Sequence, residues 1–226
     1  MTTLLLLRHG LTPLTGPVLA GRTPGVHLDD RGRRQAADAA ERLKDVRLDA
    51  VVSSPLERCR ETVEPFNAEN LHIDDRFAEC DYGDWTGKKL GDLAKEPEWR
   101  VVQAHPSAAV FPGGESLAAV SARAVAAVRD WNARLGERAT YLVCSHGDVI
   151  KAIVADALGL HLDQFQRINV DPGSVTVLEY TPIRPFLRRL NDTRNFGLPE
   201  PPPEHKDGGE NIAGSDAAVG GGAGTT

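Results

Sequence analysis

The sequence predicts an α/β fold, a three-layer sandwich in which helices flank both faces of a mostly parallel central sheet. Four short runs of nearly continuous apolar residues indicate strands covered on both faces, because a strand with one wet face alternates apolar and polar residues. These runs occupy residues 3–9, 49–54, 140–146 and 174–180. Stretches with helical periodicity lie between the runs, and strands that alternate with helices are typical of a parallel sheet.

Local patterns predict three helices. Apolar residues recur at helical spacing in 29–46 and in 116–136, where Ser116 is the expected N-cap and Gly136 the expected C-cap. A further helix is expected to begin with the residues SPLE at 54–57. This stretch forms a capping box with proline at the first helical position.

Composition narrows the classes of partner. The chain has 226 residues, of which 41% are hydrophobic, and this is enough for one sizeable domain. The net charge is −6, and much of it lies in residues 198–226, so the rest of the chain is nearly balanced. A surface with nearly equal numbers of positive and negative charges has neither the positive electrostatic potential that attracts nucleic acid nor a basic patch that binds a membrane. We therefore expect neither nucleic acid nor a membrane as a partner. The sequence leaves open a monomer or a homodimer.

Cysteine usage and the N-terminus indicate a cytoplasmic protein. Cys59, Cys80 and Cys144 are far apart and form no CxxC pair, so neither a disulfide framework nor a zinc site is predicted. The leucine run at 4–7 is too short to span a bilayer. It also lacks the basic flank and the cleavage site of a signal peptide.

The chain is expected to divide into a domain and a tail. Residues 1–197 form the predicted domain, and its less regular segment at about 71–115, which carries two of the three tryptophans, is the expected substrate lid. Residues 198–226 combine Pro and Gly clusters with few bulky apolar side chains. They cannot bury enough surface to offset the entropy of ordering, so we expect this tail to be disordered.

Polar side chains follow the predicted strands at their carboxyl ends, where open α/β sheets bind ligands. Arg8 and His9 follow the first strand, Arg58 lies beyond the second, and His146 follows the strand at 140–146. The segment after residue 71 adds a carboxylic acid. We therefore expect two arginines, two histidines and a carboxylic acid at one rim of the sheet.

For each of these side chains to face a ligand, the backbone around it must have a particular local conformation. In a straight strand Arg8 and His9 would point to opposite faces, and Gly10 is expected to let the backbone turn out of the strand. Arg58 is expected in the first turn of a helix, where a cation is unfavourable unless an anion is bound there. His146 is expected at another helix N-terminus. Spacing alone does not choose the acid, because Glu79 shares its turn-rich stretch with two aspartates, at positions 81 and 84.

These residue types suit phosphoryl transfer. Guanidinium groups bind phosphate oxygens in a bidentate manner, a neutral imidazole can attack phosphorus, and a protonated carboxylic acid can supply the leaving-group proton. The sequence shows neither a carboxylate cluster suited to Mg²⁺ nor a GxxxxGK[ST] loop. We therefore expect no metal and no cofactor.

Five separated stretches carry a resemblance to a known family. They are LLLLRHGLT, SSPLERCRET, FAECDYGDWTG, FPGGESL and VCSHGDVIKAI. In this order and spacing they resemble the histidine phosphatase superfamily, in its phosphoglycerate-mutase-like branch, over residues 3–196. The resemblance implies the phosphoglycerate-mutase-like fold. The longer stretch RHGLTPLTGPVLAGRTPGVHLDDRGRRQA looks like a subgroup of actinobacterial phosphomutases.

The resemblance implies a role for each residue of the predicted rim. His9 would be the nucleophile that becomes phosphohistidine. Glu79 would protonate the leaving group and later activate water, and it is the resemblance rather than the spacing that selects this residue among the three acids. The remaining members, which would bind the phosphoryl group, are Arg8, Arg58 and His146.

Two further residues and the reaction type also follow from the resemblance. Thr15 falls where many members place an asparagine that touches phosphate, and Arg22 lies in a loop that often meets substrate. The expected function is a metal-independent phosphomonoesterase acting on a small phosphorylated metabolite. A phosphomutase using the same residues is the first alternative, although residues 80–93 differ from those of the glycolytic mutases. A phosphate-binding module without catalysis is the second alternative.

Overall fold

The computed structural model describes residues 1–194 together with Gly220 and Gly222. Its centre is a six-stranded sheet in the order β3-β2-β4-β1-β5-β6. The strands are β1 (Thr2–Arg8), β2 (Ala50–Ser53), β3 (Leu71–Ile73), β4 (Thr140–Ser145), β5 (Val175–Tyr180) and β6 (Pro185–Asp192). The first four strands are parallel to one another, whereas β5 is antiparallel to β1 and β6 is antiparallel to β5. The predicted, mostly parallel sheet is confirmed.

Six α-helices join the strands. They are α1 (Asp30–Leu43), α2 (Glu57–Val63), α3 (Leu90–Leu93), α4 (Trp99–Ala104), α5 (Leu117–Leu135) and α6 (Gly147–Ala157). The ends of α5 are those that the sequence predicts. The Ser116 hydroxyl accepts a hydrogen bond from the Ala119 N–H at 3.1 Å, and Gly136 ends the helix with a φ of 75°.

Two hydrophobic cores explain the uninterrupted leucine run of β1. Leu4 and Leu6 face a core built with α5 and α6, whereas Leu5 and Leu7 face a second core built with α1 and α2. Successive side chains of a strand point to opposite faces, so a strand covered on both sides has no solvent-exposed side chain. The three predicted layers are therefore present, and β1 is held rigidly at the centre of the sheet.

One local prediction about α2 is wrong. This helix begins at Glu57, its N-cap is Leu56, and no side chain caps it. The Ser54 hydroxyl, expected to cap the helix, instead forms a 2.8 Å hydrogen bond with Nε2 of His146. The hydroxyl also accepts from the Leu56 N–H at 3.4 Å, so only a long local bond remains beside the contact with His146, which follows the neighbouring strand β4. Arg58 nevertheless lies in the first helical turn, as predicted.

The predicted tail can be described only in part. Apart from Gly220 and Gly222, the predicted disordered tail at 198–226 lies outside the described residues. Within the described part of the chain, no helix is both long enough and apolar enough to cross a membrane. Cys59, Cys80 and Cys144 are buried and free.

Candidate active site

The carboxyl ends of β1 and β4 lie side by side. Arg8, the last residue of β1, is paired in register with Ser145, the last residue of β4. One residue further on, the His9 backbone N–H donates to the Ser145 carbonyl at 3.0 Å. The rings of His9 and His146 consequently lie 5.1 Å apart between centroids, tilted by 60°. The parallel register thus brings together two histidines that are far apart in the sequence.

Gly10 is required for a reason other than the one predicted. It does not have a positive φ, so left-handed backbone freedom is not what this position uses. A Cβ at Gly10 would lie 2.6 Å from the carbonyl oxygen of Gly32 in α1, and a Cβ at Gly32 would lie 2.0 Å from the Leu11 carbonyl oxygen. The two glycines therefore allow α1 to pack directly against the backbone that carries His9.

Arg58 connects the two histidines. Its Nε donates to Nε2 of His9 at 3.3 Å, and its Nη2 contacts Nδ1 of His146 at 3.2 Å and donates to the Gly21 carbonyl at 2.7 Å. The side chain is buried, and among the described residues no acceptor bonds its third nitrogen, Nη1. Buried polar groups are normally hydrogen-bonded. An anion at this position would supply the missing acceptor.

The His9 ring is held in one tautomer. Its Nδ1 lies 2.7 Å from the Gly10 carbonyl oxygen, which can only accept, so Nδ1 carries the proton and Nε2 presents a lone pair. Burial, together with the charges of Arg58 and Arg8, holds the pKa of His9 well below its ordinary value. The ring is therefore neutral at neutral pH, and Nε2 keeps an unprotonated lone pair, which accepts the hydrogen bond from Nε of Arg58.

His146 occupies the N-cap of α6, as predicted. Its side chain is fully buried, and burial followed by the charge of Arg58 lowers its pKa well below the ordinary value. With Nδ1 facing the Arg58 guanidinium, the proton lies on Nε2, which donates to the Ser54 hydroxyl.

Glu79 is the acid that the structure brings to the histidines. It is 3% exposed, its Oε2 lies 4.0 Å from Nδ1 of His146, and its Oε1 accepts from the Cys80 N–H at 2.9 Å. Burial and the nearby charge of Asp148 raise the pKa of Glu79 to about 7. Near neutral pH this carboxyl group can therefore either give or take a proton.

Arg8 lies on the α6 side of the site and contacts the C-terminal segment. Its Nη1 donates to the Val170 carbonyl at 2.7 Å, and its Nη2 donates to the carbonyls of Gly222 at 2.7 Å and Gly220 at 3.3 Å. The Gly220 N–H donates to the carboxylate of Asp148 at 3.1 Å. Backbone carbonyls of this segment thus accept hydrogen bonds from a guanidinium that the sequence predicts to hold phosphate.

A cavity opens in front of Arg8, His9, Arg58 and Glu79, and the fully buried His146 is not among its described lining residues. Beyond Arg8, His9, Arg58 and Glu79, its described lining consists of Thr12, Thr15, Gly16, Val18, Leu19, Ala20, Gly21, Tyr82, Leu90, Gly220 and Gly222. Thr15 lies in this wall, where its hydroxyl accepts from the Thr12 N–H at 3.1 Å. Arg22 is not part of the lining, and its guanidinium instead binds the Glu79 carbonyl and the Glu115 carboxylate.

The structure adds residues that the sequence analysis did not identify. Tyr82 is buried and donates its hydroxyl hydrogen to Asp148 at 2.8 Å, while Leu19 and Leu90 form an apolar wall. Tyr82 lies three positions after Glu79, inside a motif that the sequence analysis singled out. The apolar wall has no comparable signal, because a leucine that lines a cavity has the same local pattern as one in a core.

The described residues contain no group of three or more His, Cys, Asp or Glu side chains arranged to hold a metal ion. What they do contain is a neutral histidine, a second histidine, two buried guanidinium groups and a carboxyl group with a raised pKa, all at one rim of the sheet. This arrangement suits transfer of an anionic group to a nitrogen nucleophile.

Comparison with known proteins identifies the family. The model of the histidine phosphatase superfamily, branch 1, matches residues 4–193, and the chain belongs to this family. It is 33% identical over 205 residues to phosphoserine phosphatase 1 of Hydrogenobacter thermophilus, covering 87% of this chain and 95% of that protein. It is also 33% identical over 174 residues to a glucosyl-3-phosphoglycerate phosphatase of Mycolicibacterium vanbaalenii, covering 72% and 76%.

Solved structures agree with this assignment. The α-ribazole phosphatase of Shigella flexneri superposes with a TM-score of 0.75 at 26% identity, covering 84% of this chain and 96% of that one. The predicted family and fold are therefore confirmed. The relatives act as phosphatases by name, and this chain is an enzyme of the same family.

Proposed function

We propose that the protein hydrolyses a small phosphomonoester in two steps, with the phosphoryl group carried on Nε2 of His9 between them. One observation carries this proposal: Nδ1–H of His9 is bonded to the Gly10 carbonyl, which leaves Nε2 unprotonated in a residue that lines the cavity. A histidine kept neutral in this way is a competent nucleophile. Membership in the histidine phosphatase superfamily supports the same reaction class.

The two arginines and His146 are proposed to hold the phosphoryl oxygens. Nη1 of Arg58 lacks an acceptor among the described residues, and Nη2 of Arg8 is bonded to glycine carbonyls that a phosphate oxygen could replace. Hydrogen bonds to charged oxygens are shorter and stronger than those to neutral carbonyls. A bound dianion would also favour protonation of His146, which then adds a donor.

The chemistry proceeds with balanced proton transfers. Nε2 of His9 attacks phosphorus, the bond from phosphorus to the ester oxygen breaks, and protonated Glu79 gives its proton to the departing oxygen. The resulting Glu79 carboxylate then takes a proton from a water molecule that attacks the phosphohistidine. This second step releases inorganic phosphate and restores both residues. The raised pKa of Glu79, about 7, matches a group that must work in both directions.

The scheme assigns no step to a metal ion or a cofactor, and its test can therefore be run in EDTA. Phosphate release is measured on a panel of phosphomonoesters that includes phosphoserine, glucosyl-3-phosphoglycerate and esters with apolar leaving groups, which suit the wall formed by Leu19 and Leu90. Wild type should release phosphate and His9→Ala should not. His105→Ala, at an exposed position away from the cavity, is the matched control and should behave as wild type.

Two results would contradict the proposal. Activity of His9→Ala equal to that of wild type would show that the reaction does not pass through phosphohistidine at this position. Formation of an isomeric phosphoester without phosphate release would favour a phosphomutase.

We also propose that the enzyme works in the cytoplasm, because Cys59, Cys80 and Cys144 are free thiols. Fractionation of the native host tests this location, and light scattering distinguishes a monomer from a homodimer.

A further inference from the structure

The motif FPGGESL predicts the N-cap at Ser116 but has no role in the proposed chemistry. Its Glu115 connects two arginines that come from different parts of the chain. The carboxylate accepts from Nη2 of Arg22 at 2.8 Å, and from Nε and Nη2 of Arg123 at 2.9 and 3.1 Å. Arg22 belongs to the loop that follows the cavity-lining residues 18–21, and Arg123 belongs to α5.

Both arginines also bind the backbone of the proposed acid. Nε of Arg22 and Nη2 of Arg123 donate to the Glu79 carbonyl oxygen at 2.8 and 3.1 Å. Two residues later, the Asp81 N–H donates to the Glu115 carboxylate at 2.9 Å. The backbone of residues 79–81 is thus fixed on both sides of Cys80. The Cys80 N–H lies between these two contacts and orients the Glu79 carboxyl group.

We propose that Arg22, Glu115 and Arg123 form a clamp whose task is to position Glu79 for proton transfer to the leaving group. The three are positioning residues, because none of them lines the cavity. General acid catalysis requires the donor to lie within hydrogen-bonding reach of the departing oxygen. A clamp that fixes the backbone on both sides of the acid restricts where its carboxyl group can lie.

The clamp is suited to this task because Glu115 and Arg123 are shielded without being deeply buried, whereas Arg22 is 38% exposed. The side chains of Arg123 and Glu115 are 17% and 23% exposed. Although burial acts in the opposite direction, the hydrogen bonds from Arg123 and from the Asp81 N–H hold the pKa of Glu115 below its ordinary value. Glu115 therefore stays ionised at the pH where Glu79 exchanges its proton, and the clamp persists through both steps.

The inference rests on the proposed function, and the dependence of rate on the leaving group separates the two. Benzyl phosphate and p-nitrophenyl phosphate are similar in shape, but the first releases a basic alkoxide and the second a stable phenolate. Only the first needs a proton from Glu79. The ratio kcat/KM covers the steps up to loss of the leaving group, so it reports this proton transfer separately from hydrolysis of the phosphoenzyme.

The expected result is a selective loss. Arg123→Gln and Glu115→Gln should lower kcat/KM for benzyl phosphate by roughly 10–100-fold, since a positioned general acid contributes typically 10²–10⁴-fold. For p-nitrophenyl phosphate the change should stay within about 3-fold. Arg129→Gln is the matched control on the same helix, because Arg129 is 70% exposed and forms an ion pair with Asp156, which is not part of the clamp. It should leave both substrates unaffected.

Other results would overturn the inference. An equal loss on both substrates would show a merely structural role, and no loss on either would show that the clamp does not matter. Should the Arg123 and Glu115 variants melt much earlier than wild type, Arg22→Gln replaces them, because this side chain is 38% exposed and the Arg123 contacts remain. It must show the same selectivity. Failure of the proposed function is recognised separately, as wild-type activity that His9→Ala retains.

Discussion

One guanidinium group contacts both histidines of the site: Nε of Arg58 lies 3.3 Å from Nε2 of His9, and Nη2 of Arg58 lies 3.2 Å from Nδ1 of His146. A cation at this distance disfavours a second positive charge. It therefore keeps both rings neutral while a third nitrogen remains available for an anion. In the proposed reaction the same residue prepares the nucleophile and binds the group that the nucleophile attacks.

Replacing Arg58 should change the titration of both histidines. Arg58→Gln removes the charge that, after burial, contributes most to the lowered pKa of each ring, so both pKa values should rise. Activity should fall by about 100-fold or more, because a charged phosphate contact is lost. Imidazole NMR signals followed through a pH titration check the first effect. The control is Arg60→Gln, an exposed position on the same helix. Unchanged histidine titrations would contradict this explanation.

The rate for alkyl phosphates should decline on the alkaline side of neutrality. Glu79 must be protonated to assist the leaving group, and its pKa of about 7 means that the active form disappears as pH rises through that value. His9 must be neutral, and its lowered pKa keeps it so well into the acidic range. We therefore expect kcat/KM for benzyl phosphate to fall above pH 7. For p-nitrophenyl phosphate, kcat/KM should not fall above pH 7. A fall above pH 7 for both substrates would argue against Glu79 as the acid.

Because α1 packs closely against the backbone after β1, a side chain at Gly32 should destabilise the fold. In Gly32→Ala the new methyl group would meet the backbone of Leu11, which cannot move aside as a side chain can. We expect a loss of about 1–3 kcal/mol in the free energy of unfolding. Gly91→Ala, with open space at its Cβ, is the matched control and should be neutral or slightly stabilising. Urea denaturation of the two variants measures the difference, and equal stabilities would contradict the packing argument.

The C-terminal glycines should compete with phosphate. The carbonyls of Gly220 and Gly222 accept from the same Arg8 nitrogen that a phosphoryl oxygen would need. A chain ending at residue 219 should therefore show a KM several-fold lower with kcat little changed. A chain ending at residue 224 retains both amide carbonyls and is the control. Equal KM values for the two shortened chains would show that the segment does not compete.

The sequence predicted the elements whose signals are local and continuous. The leucine run of β1 and the polar residues after it are one such signal, and the structure places Arg8 and His9 at the predicted rim. Strand β6 was missed because its arginine-rich residues are largely exposed and form no apolar run. The helix does not begin at Ser54 as predicted, and the Ser54 hydroxyl makes its shorter hydrogen bond with His146, which is remote in sequence. The partners of Glu115 depend on tertiary contacts that no local pattern encodes.

The phosphohistidine itself provides the most direct test. Wild-type enzyme is mixed with p-nitrophenyl phosphate, quenched with base within the first turnover, digested, and mapped by mass spectrometry. We expect one phosphoryl group on the peptide that contains His9, stable in base and lost in acid, and absent from His9→Ala. A phosphoryl group on another residue, or full turnover without any phosphorylated peptide, would show that His9 is not the nucleophile.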